Sequence, residues 1–368
     1  MPRVPYSSQI APIPRRQEDS MKIVYDDIVY SLQKAGGISV VWAETTKQPP
    51  FHATHIRYDN ADGNVFARKI EGHDYEILSS SGLIVKRYMN VRRHEAEPYL
   101  FHSSYFRYCL DPKAVNITTM HDFTFELFFR GPLFQVHIHQ KKNTTMHSDG
   151  VICISENTKR DLLKYYPDYR GEIAVIYNGY DTQSYYYEPA KKEPIVLFVG
   201  SRTFYKRFDL AAKIVKELPD CKLVVVGGGA FTKQEQALLE AEIPGRYEKA
   251  GFLDNDALRR LYNRAFCLVY CSDYEGFGIP PLEAQACGCP VICQARSSLP
   301  EVVEDSAIYF DPDQERRSMD AVLKLRQPEF YNDIVRRGLD NVKRFSWTKC
   351  SREVYGFYDY MLDRKGLR

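Results

Sequence analysis

The sequence has little excess charge of either sign. Its 368 residues carry 50 Lys and Arg against 48 Asp and Glu, a formal net charge of +2 at pH 7. A protein that binds nucleic acid mainly through phosphates would be far more basic, so that class is excluded. No apolar run approaches the roughly 18 residues that cross a bilayer, and the N-terminus lacks the apolar core of a secretory signal. We therefore expect a soluble or at most peripheral protein in the cytoplasm.

The nine cysteines lack the spacing of a metal site or of a disulfide framework. They are an odd number and are scattered, several of them inside apolar strand-like or helical runs. Cys287, Cys289 and Cys293 lie in CGCPVIC, which has no CxxC pair and no nearby histidine. The pattern predicts reduced, packed thiols.

Two D-x-D pairs invite a metal interpretation. They are Asp254 with Asp256 and Asp311 with Asp313. Aspartates so spaced can hold a divalent ion. Both pairs also precede helical patterns, where aspartate is a preferred N-cap. We favour the capping interpretation and expect no bound metal.

The central motif of the chain is YEGFGIPPLEAQ, from Tyr274 to Gln285. The preceding CLVY is typical of a buried parallel strand, and the following LEAQAC of a helix with Pro280 and Pro281 at its start. A glycine loop between a strand and a helix N-terminus presents backbone N–H groups and favours anions or hydroxyls. The alternative is that the two glutamates of the motif are a helix-dipole partner and a solvated loop charge.

Strand and helix patterns alternate along the rest of the chain. This alternation predicts right-handed βαβ crossovers, two parallel sheets and an α/β fold. Residues 1–20 contain four prolines and no periodicity, and are expected to be a flexible extension. We place a first domain at 21–188, a second at 189–345 after a tyrosine-rich linker, and a terminal helix at 346–368.

Positive side chains follow PIVLFVGS, the first apolar run of the second domain. The string RTFYKRF carries Arg202, Lys206 and Arg207 into an amphipathic helix. Arginine can engage two pyrophosphate oxygens at once, and lysine adds a compact charge. The turn is therefore a candidate diphosphate site, with a solvated basic turn as the alternative.

The stretch EGFGIPPLEA resembles the E-x7-E signature of glycosyltransferase family 4. The family comprises retaining enzymes with the GT-B fold, in which two Rossmann-like domains face each other. The resemblance also implies that the C-terminal helix crosses back to the first domain. The resemblance implies that Glu275 holds the transferred sugar and that Glu283 binds the nucleotide ribose. It also implies that the amides of Phe277, Gly278 and Ile279 hold sugar hydroxyls.

Further donor contacts are implied by the same resemblance. The basic turn is similar to the family's phosphate-binding arginine and lysine at Arg202 and Lys206; because Arg207 is adjacent, which basic residue faces the phosphates stays open. RSSLPEVVED resembles a turn that meets the diphosphate through backbone N–H groups. A strand through Gly251 to Leu253 resembles one that meets the base. Outside the central motif, the resemblance implies a further set of donor-binding residues. They are Ser201, Arg207, Gly251, Phe252, Leu253, Ser298 and Leu299.

Two motifs of the first domain also resemble the family. GGIS, with Gly36 and Gly37, is similar to a loop near the donor phosphates and the acceptor, although Val40 stands where an arginine often follows. From the glycine pair alone, a plain tight turn is an equal alternative. MHDFTFELF is similar to the family's HD motif, which implies that His121 contacts the donor sugar. A structural role at a strand end is the alternative for this histidine.

The combined interpretation is a metal-independent, retaining glycosyltransferase without a cofactor, with His121, Arg202, Lys206 and Glu275 as its catalytic residues. The donor sugar would lie in the cleft between the domains. HDFTFELF together with the YK-containing turn is similar to bacterial mannosyltransferases of O-antigen or capsule synthesis. GDP-mannose is therefore the favoured donor, with UDP- or dTDP-sugars behind it. The acceptor is expected to be a glycan or lipid-linked saccharide. A sugar-nucleotide epimerase and a non-catalytic nucleotide-sugar-binding subunit are the alternatives.

Scattered basic residues of the first domain are candidates for guiding it to anionic lipid. A solvated charged face is the favoured alternative. These residues are Lys86, Arg87, Arg92, Arg93, Lys141 and Lys142.

Overall fold

The computed structural model describes residues 22–49, 52–67 and 73–367, so the predicted extension 1–20 lies outside the described residues. The chain forms two compact units, Met1–Asn178 with Trp347–Arg368, and Gly179–Ser346. The predicted boundary after residue 188 falls inside the second unit. The reason is that the tyrosine-rich segment packs there: Tyr185 is buried, and its ring faces that of Tyr262 at 6.1 Å.

The first unit contains a parallel sheet of seven strands in the order β3-β2-β1-β4-β5-β6-β7. Buried apolar and aromatic side chains such as Ile23, Tyr99 and Phe101 explain why these runs form central strands. The strands are β1 (Lys22–Asp26), β2 (His52–Tyr58), β3 (Asp74–Leu78), β4 (Tyr99–Ser103), β5 (Ala114–Met120), β6 (Gly150–Cys153) and β7 (Glu172–Val175).

Helices connect these strands, as the alternation predicted. Ser155 caps α6 by accepting a hydrogen bond from the Thr158 N–H. The helices are α1 (Val29–Leu32), α2 (Gly37–Thr46), α3 (Leu83–Lys86), α4 (Thr124–Phe128), α5 (Pro132–His147) and α6 (Glu156–Tyr165).

The second unit contains a parallel sheet of six strands in the order β10-β9-β8-β11-β12-β13. Its central strands are continuous apolar runs, as expected for strands covered on both faces. The strands are β8 (Ile195–Val199), β9 (Lys222–Val226), β10 (Tyr247–Gly251), β11 (Cys267–Tyr270), β12 (Val291–Cys293) and β13 (Ile308–Tyr309).

The helices of the second unit cover this sheet. Buried side chains of α7, including Leu210 and Ile214, join those of β8 and β9 in one apolar core. The helices are α7 (Phe208–Lys216), α8 (Lys233–Glu242), α9 (Asn255–Arg264), α10 (Ile279–Ala286), α11 (Leu299–Val303), α12 (Glu315–Leu323) and α13 (Pro328–Asn341).

The terminal helix α14 (Trp347–Arg364) belongs to the first unit, as predicted. It is tied to α2 by the Tyr355 hydroxyl, which donates to the Thr45 carbonyl at 2.8 Å. The Ser351 hydroxyl donates to the Glu44 carbonyl at 2.9 Å. Within the described ranges, no helix is long and apolar enough to span a membrane.

Candidate functional site

The second sheet reverses its strand order between β8 and β11. In open parallel sheets, ligands bind at the carboxyl ends of strands next to such a reversal. A short 3-10 helix, Phe204–Lys206, follows β8, and the loop that holds Glu275 follows β11. The two loops are joined where the Asp273 N–H donates to the Tyr205 carbonyl at 2.7 Å. The fold therefore brings the basic turn and the central motif together at the position expected of a ligand site.

Lys206 and Glu275 form an ion pair at this position. The Lys206 Nζ donates to Oε1 of Glu275 at 2.5 Å. The ammonium lies 5.4 Å from the ring centroid of Tyr205 and 5.6 Å from that of Tyr270. Burial raises the pKa of Tyr270, as do the charge of Glu275 and the hydrogen bond to it. Sequence reasoning missed both tyrosines, although Tyr270, as the last residue of β11, lies at the strand end where ligands bind.

The loop around Glu275 is held from the turn after β12. The Glu275 N–H donates to the Ser297 hydroxyl at 2.8 Å. The Ser298 hydroxyl donates to the carbonyls of Glu275 and Phe277 at 3.0 and 2.8 Å. Gly278 caps α10 with φ 108°, a conformation that favours glycine. The amide-bearing turn of the central motif is thus fixed by side chains of a neighbouring turn.

Glu283 is the fifth of the eight residues of α10, and its side chain is half-buried. Burial raises the pKa of its carboxyl to about 7, the hydrogen bond from the Tyr262 hydroxyl opposes this shift, and the charge of Asp181 adds to it. A ligand that donates hydrogen bonds would favour the ionised form. The carboxyl is therefore suited to respond to a bound polyol.

Arg202 pairs with a different acidic residue from the one that Lys206 contacts. Its guanidinium donates to Oε1 of Glu235 at 2.8 Å, and its side chain is 3% exposed. It also donates to the carbonyls of the glycine turn after β9, including those of Gly227 and Gly228 at 3.1 Å. The structure therefore assigns Arg202 contacts that hold this turn, and its contact with a diphosphate stays a prediction.

Arg207 is engaged in a similar way. Its guanidinium donates to both carboxylate oxygens of Asp209, at 3.0 and 2.9 Å, and lies 3.6 Å from Asp273. Arg207 is the N-cap residue of α7, and its φ of 50° lies in the left-handed region. Of the three basic residues predicted to contact the diphosphate, Lys206 is the one that forms an ion pair with Glu275.

The other predicted donor residues lie at the same sheet edge with different exposures. Ser201 is exposed, whereas the side chain of Leu299 is fully buried and leaves its backbone for any contact. The expected strand through Leu253 is too long, because β10 ends at Gly251, whose φ is 74°. Phe252 beyond it is 92% exposed. The sequence pattern did not show that the glycine turns the chain there.

The first unit places His121 directly after β5. It lines a cavity with His102, Thr119 and Asn178 among its other walls. Burial lowers the pKa of His121 to about 4, with Asp122 opposing and Lys141 adding to the shift. Its imidazole is therefore neutral near pH 7, and its contact with a sugar stays a prediction.

The predicted GGIS turn also begins a helix, as expected. Gly37 is the first residue of α2. A Cβ at Gly36 would lie 2.6 Å from Oε1 of Gln33, the far end of a flexible side chain that would have to move. The roles of Gly36 and Gly37 near phosphates or an acceptor stay predictions, as does the effect of Val40.

Three other expectations have structural outcomes. Asp254 caps α9 by accepting from the Ala257 N–H at 2.8 Å, and Asp311 accepts from the Asp313 N–H at 3.0 Å, which confirms the capping interpretation. The prediction that Lys141 lies on a charged surface is wrong, because the residue is 1% exposed and paired with Glu126. The cysteines are all buried and free, in agreement with packed thiols.

The fold has known counterparts. Anabaena HepE, solved in complex with UDP-glucose, matches 92% of this chain and 100% of its own, with a TM-score of 0.69 and 15% identity. Two Rossmann-like units with parallel sheets of seven and six strands define the GT-B fold, and this is the architecture of the chain.

The chain belongs to glycosyltransferase family 4. The family model described as Glycosyltransferase Family 4 matches residues 25–184, and the model described as Glycosyl transferases group 1 matches residues 182–338.

Curated relatives agree with this assignment. The O-antigen chain mannosyltransferase B of Escherichia coli is 39% identical over 109 residues, which are 29% of this chain and 29% of the relative. The O-antigen chain mannosyltransferase RfbU of Salmonella typhimurium strain LT2 is 30% identical over 202 residues, 53% of this chain and 57% of the relative. The matched segments thus span less than two thirds of these relatives' length.

Proposed function

We propose that the chain is a retaining, metal-independent glycosyltransferase. It moves a hexose from a nucleotide diphosphate sugar to a glycan or lipid-linked acceptor in O-antigen or related polysaccharide synthesis. The observation that carries the proposal is the pair of Lys206 and Glu275, with Nζ and Oε1 2.5 Å apart, at the strand reversal of the second sheet.

The chemistry follows from these two charges. As the glycosidic bond breaks, negative charge grows on the leaving β-phosphate oxygen, and a preorganised cation and helix N–H groups stabilise the transition state more than the ground state. In the proposal, Lys206 turns from Glu275 to the diphosphate, and the released carboxylate accepts hydrogen bonds from the sugar. The leaving phosphate takes the acceptor's proton.

Mannose is the first choice of donor sugar. Two relatives are named as O-antigen mannosyltransferases, which supports GDP-mannose. The UDP-glucose complex of the Anabaena structure keeps UDP-sugars as the second choice. A thermal-shift screen with GDP-mannose, UDP-glucose and dTDP-glucose orders the donors, because a ligand that binds only the folded state raises the melting temperature.

One assay tests the reaction class. Purified protein is incubated with the best donor and an α-mannosyl acceptor, with and without EDTA, and the product's anomeric configuration is read by NMR. Retention and unchanged turnover in EDTA support the proposal; inversion or loss of turnover in EDTA contradicts it. Incubation without acceptor separates the alternatives, because an epimerase yields an isomeric donor. A non-catalytic subunit binds nucleotide and transfers nothing.

We further propose peripheral contact with anionic membranes through the segment around α3. The support is an exposed apolar group beside basic residues: Ile84, Val85 and Met89 are 83%, 63% and 54% exposed, next to Lys86. Amphipathic surfaces of this kind lie at lipid interfaces. Cosedimentation with phosphatidylglycerol vesicles tests this contact, and equal binding by wild type and Ile84→Glu contradicts it.

A further inference from the structure

A buried ion pair of the first unit lies behind the loop that carries His121. The ammonium of Lys141, on α5, donates to Oε2 of Glu126 at 2.6 Å. Oε1 of Glu126 accepts from the Tyr166 hydroxyl at 2.9 Å. Burying a charge pair costs desolvation, and apolar side chains of similar volume are often as stable. Stability alone is therefore a weak explanation for this pair.

Lys141 makes a second polar contact, to the backbone. Its ammonium donates to the Asp122 carbonyl at 2.9 Å and lies 4.4 Å from the ring centroid of Phe123. The Asp122 side chain in turn accepts from the Thr124 N–H at 2.9 Å. The carbonyl of Asp122, the residue after His121, is therefore held by the buried Lys141 ammonium. Glu126 in turn fixes the position of that ammonium.

The loop held in this way presents His121 to the cavity of the first unit. Asn178 lines the same cavity, is 3% exposed, and its Oδ1 has no hydrogen-bond partner among the residues that the structure describes. The charged or titratable groups that act on His121 are Asp122, Lys141 and the neighbouring His102. The charge of Lys141 favours the neutral imidazole, which offers one donor and one acceptor to a ligand.

We propose that Lys141, with Glu126 as its counter-ion, is a positioning residue that holds the Asp122 carbonyl and thereby orients His121 toward the sugar of the donor. The inference rests on the proposed function, in which His121 contacts that sugar. It replaces the interpretation of Lys141 as a surface charge.

The test removes the buried polar groups together. Lys141→Met/Glu126→Leu/Tyr166→Phe leaves none of these three side chains unpaired, so we expect it to melt within a few degrees of the wild type. Its kcat with GDP-mannose should fall about a hundredfold, while the donor KM changes by less than about threefold, because the reacting groups are misaligned. Lys142→Met, the exposed neighbour, is the matched control and should keep both constants.

Each outcome decides one question. A triple variant with wild-type melting temperature and wild-type kcat overturns the positioning role. If the wild type itself turns over no sugar nucleotide, the proposed function fails instead, and NMR titration of His121 decides the inference: its pKa should rise in the triple variant, and an unchanged pKa overturns the inference. Should the triple variant not fold, Lys141→Met/Glu126→Gln takes its place with the same outcomes.

Discussion

Lys206 and Glu275 are 69 positions apart in the chain, and their Nζ and Oε1 atoms lie 2.5 Å apart. Both side chains are largely shielded, at 17% and 10% exposure, so solvent and salt weaken the pair less than they weaken a surface pair. The pair joins the loops of the two strands at which the sheet reverses. In the proposed function, donor binding breaks this ion pair. Lys206 then contacts the diphosphate, and Glu275 contacts the sugar.

Glu275→Gln tests the carboxylate end of the pair. The amide keeps the shape of the side chain but accepts sugar hydroxyls less strongly, and we expect kcat to fall about a hundredfold. The melting temperature should fall modestly, because the amide still accepts a hydrogen bond from the largely shielded Lys206 ammonium but no longer offsets its charge. Glu248→Gln, on β10, is the control. A Glu275→Gln variant with wild-type kcat would rule out the role assigned to this carboxylate.

Glu283→Gln should change how stability depends on pH. A carboxyl whose pKa rises from 4.5 to about 7 on folding binds its proton more tightly in the folded state. The wild type therefore loses stability as the pH rises through this window, by on the order of 2 kcal/mol, and the substituted protein does not. Urea denaturation of both proteins at about pH 5 and about pH 8 measures the difference. A difference that stays constant between the two pH values contradicts the shift.

Arg202→Met separates a structural from a phosphate-binding arginine. It removes the cation paired with Glu235 and the guanidinium donor of the glycine-turn carbonyls, and we expect a loss of about 3 kcal/mol in the free energy of unfolding. Glu235→Gln weakens the same contact without touching any phosphate ligand. Donor affinity is then compared by calorimetry: a loss of about tenfold or more in the Arg202 variant alone would support the diphosphate contact, and equal affinities would leave only the structural role. Unchanged stability in both variants contradicts the observed contacts.

Gly278→Ala tests the turn that begins α10. At φ 108° an added Cβ is strained and would lie 3.0 Å from Cδ2 of Leu299. We expect a loss of about 1–3 kcal/mol in stability, together with weaker donor binding. Gly63→Ala is the control, because its Cβ meets nothing within 4 Å. Equal stabilities of the two variants would show that the turn tolerates a side chain.

The sequence predicted the elements of this fold better than the partners of its charged residues. Continuous apolar runs such as PIVLFVGS and CLVY form β8 and β11 as expected, since such runs satisfy a sheet covered on both faces. The motif loops follow these strands, so the position of the candidate site was predictable. The end of β10 was not, because the left-handed turn at Gly251 leaves no signal in an apolar pattern.

Partners were hidden because they come from distant elements. Arg202 bonds to Glu235 on α8, and Lys141 bonds to Glu126 on α4, contacts that only the folded chain creates. A lysine in a helix that mixes histidines and polar residues is typical of a surface, which made Lys141 misleading. The Tyr270 hydroxyl forms a hydrogen bond with Glu275, but in the sequence Tyr270 looks like any other aromatic residue of a buried strand.

Isothermal titration calorimetry of the wild type and Lys206→Met with GDP-mannose and UDP-glucose tests the central claim most directly. Lys213→Met, an exposed lysine on α7, is the control. The account predicts that at least one of the two nucleotide sugars binds the wild type and the Lys213 variant alike, and binds the Lys206 variant at least about tenfold more weakly, since a cation on the diphosphate is lost. Equal affinity in all three proteins, or no binding to the wild type, would contradict it.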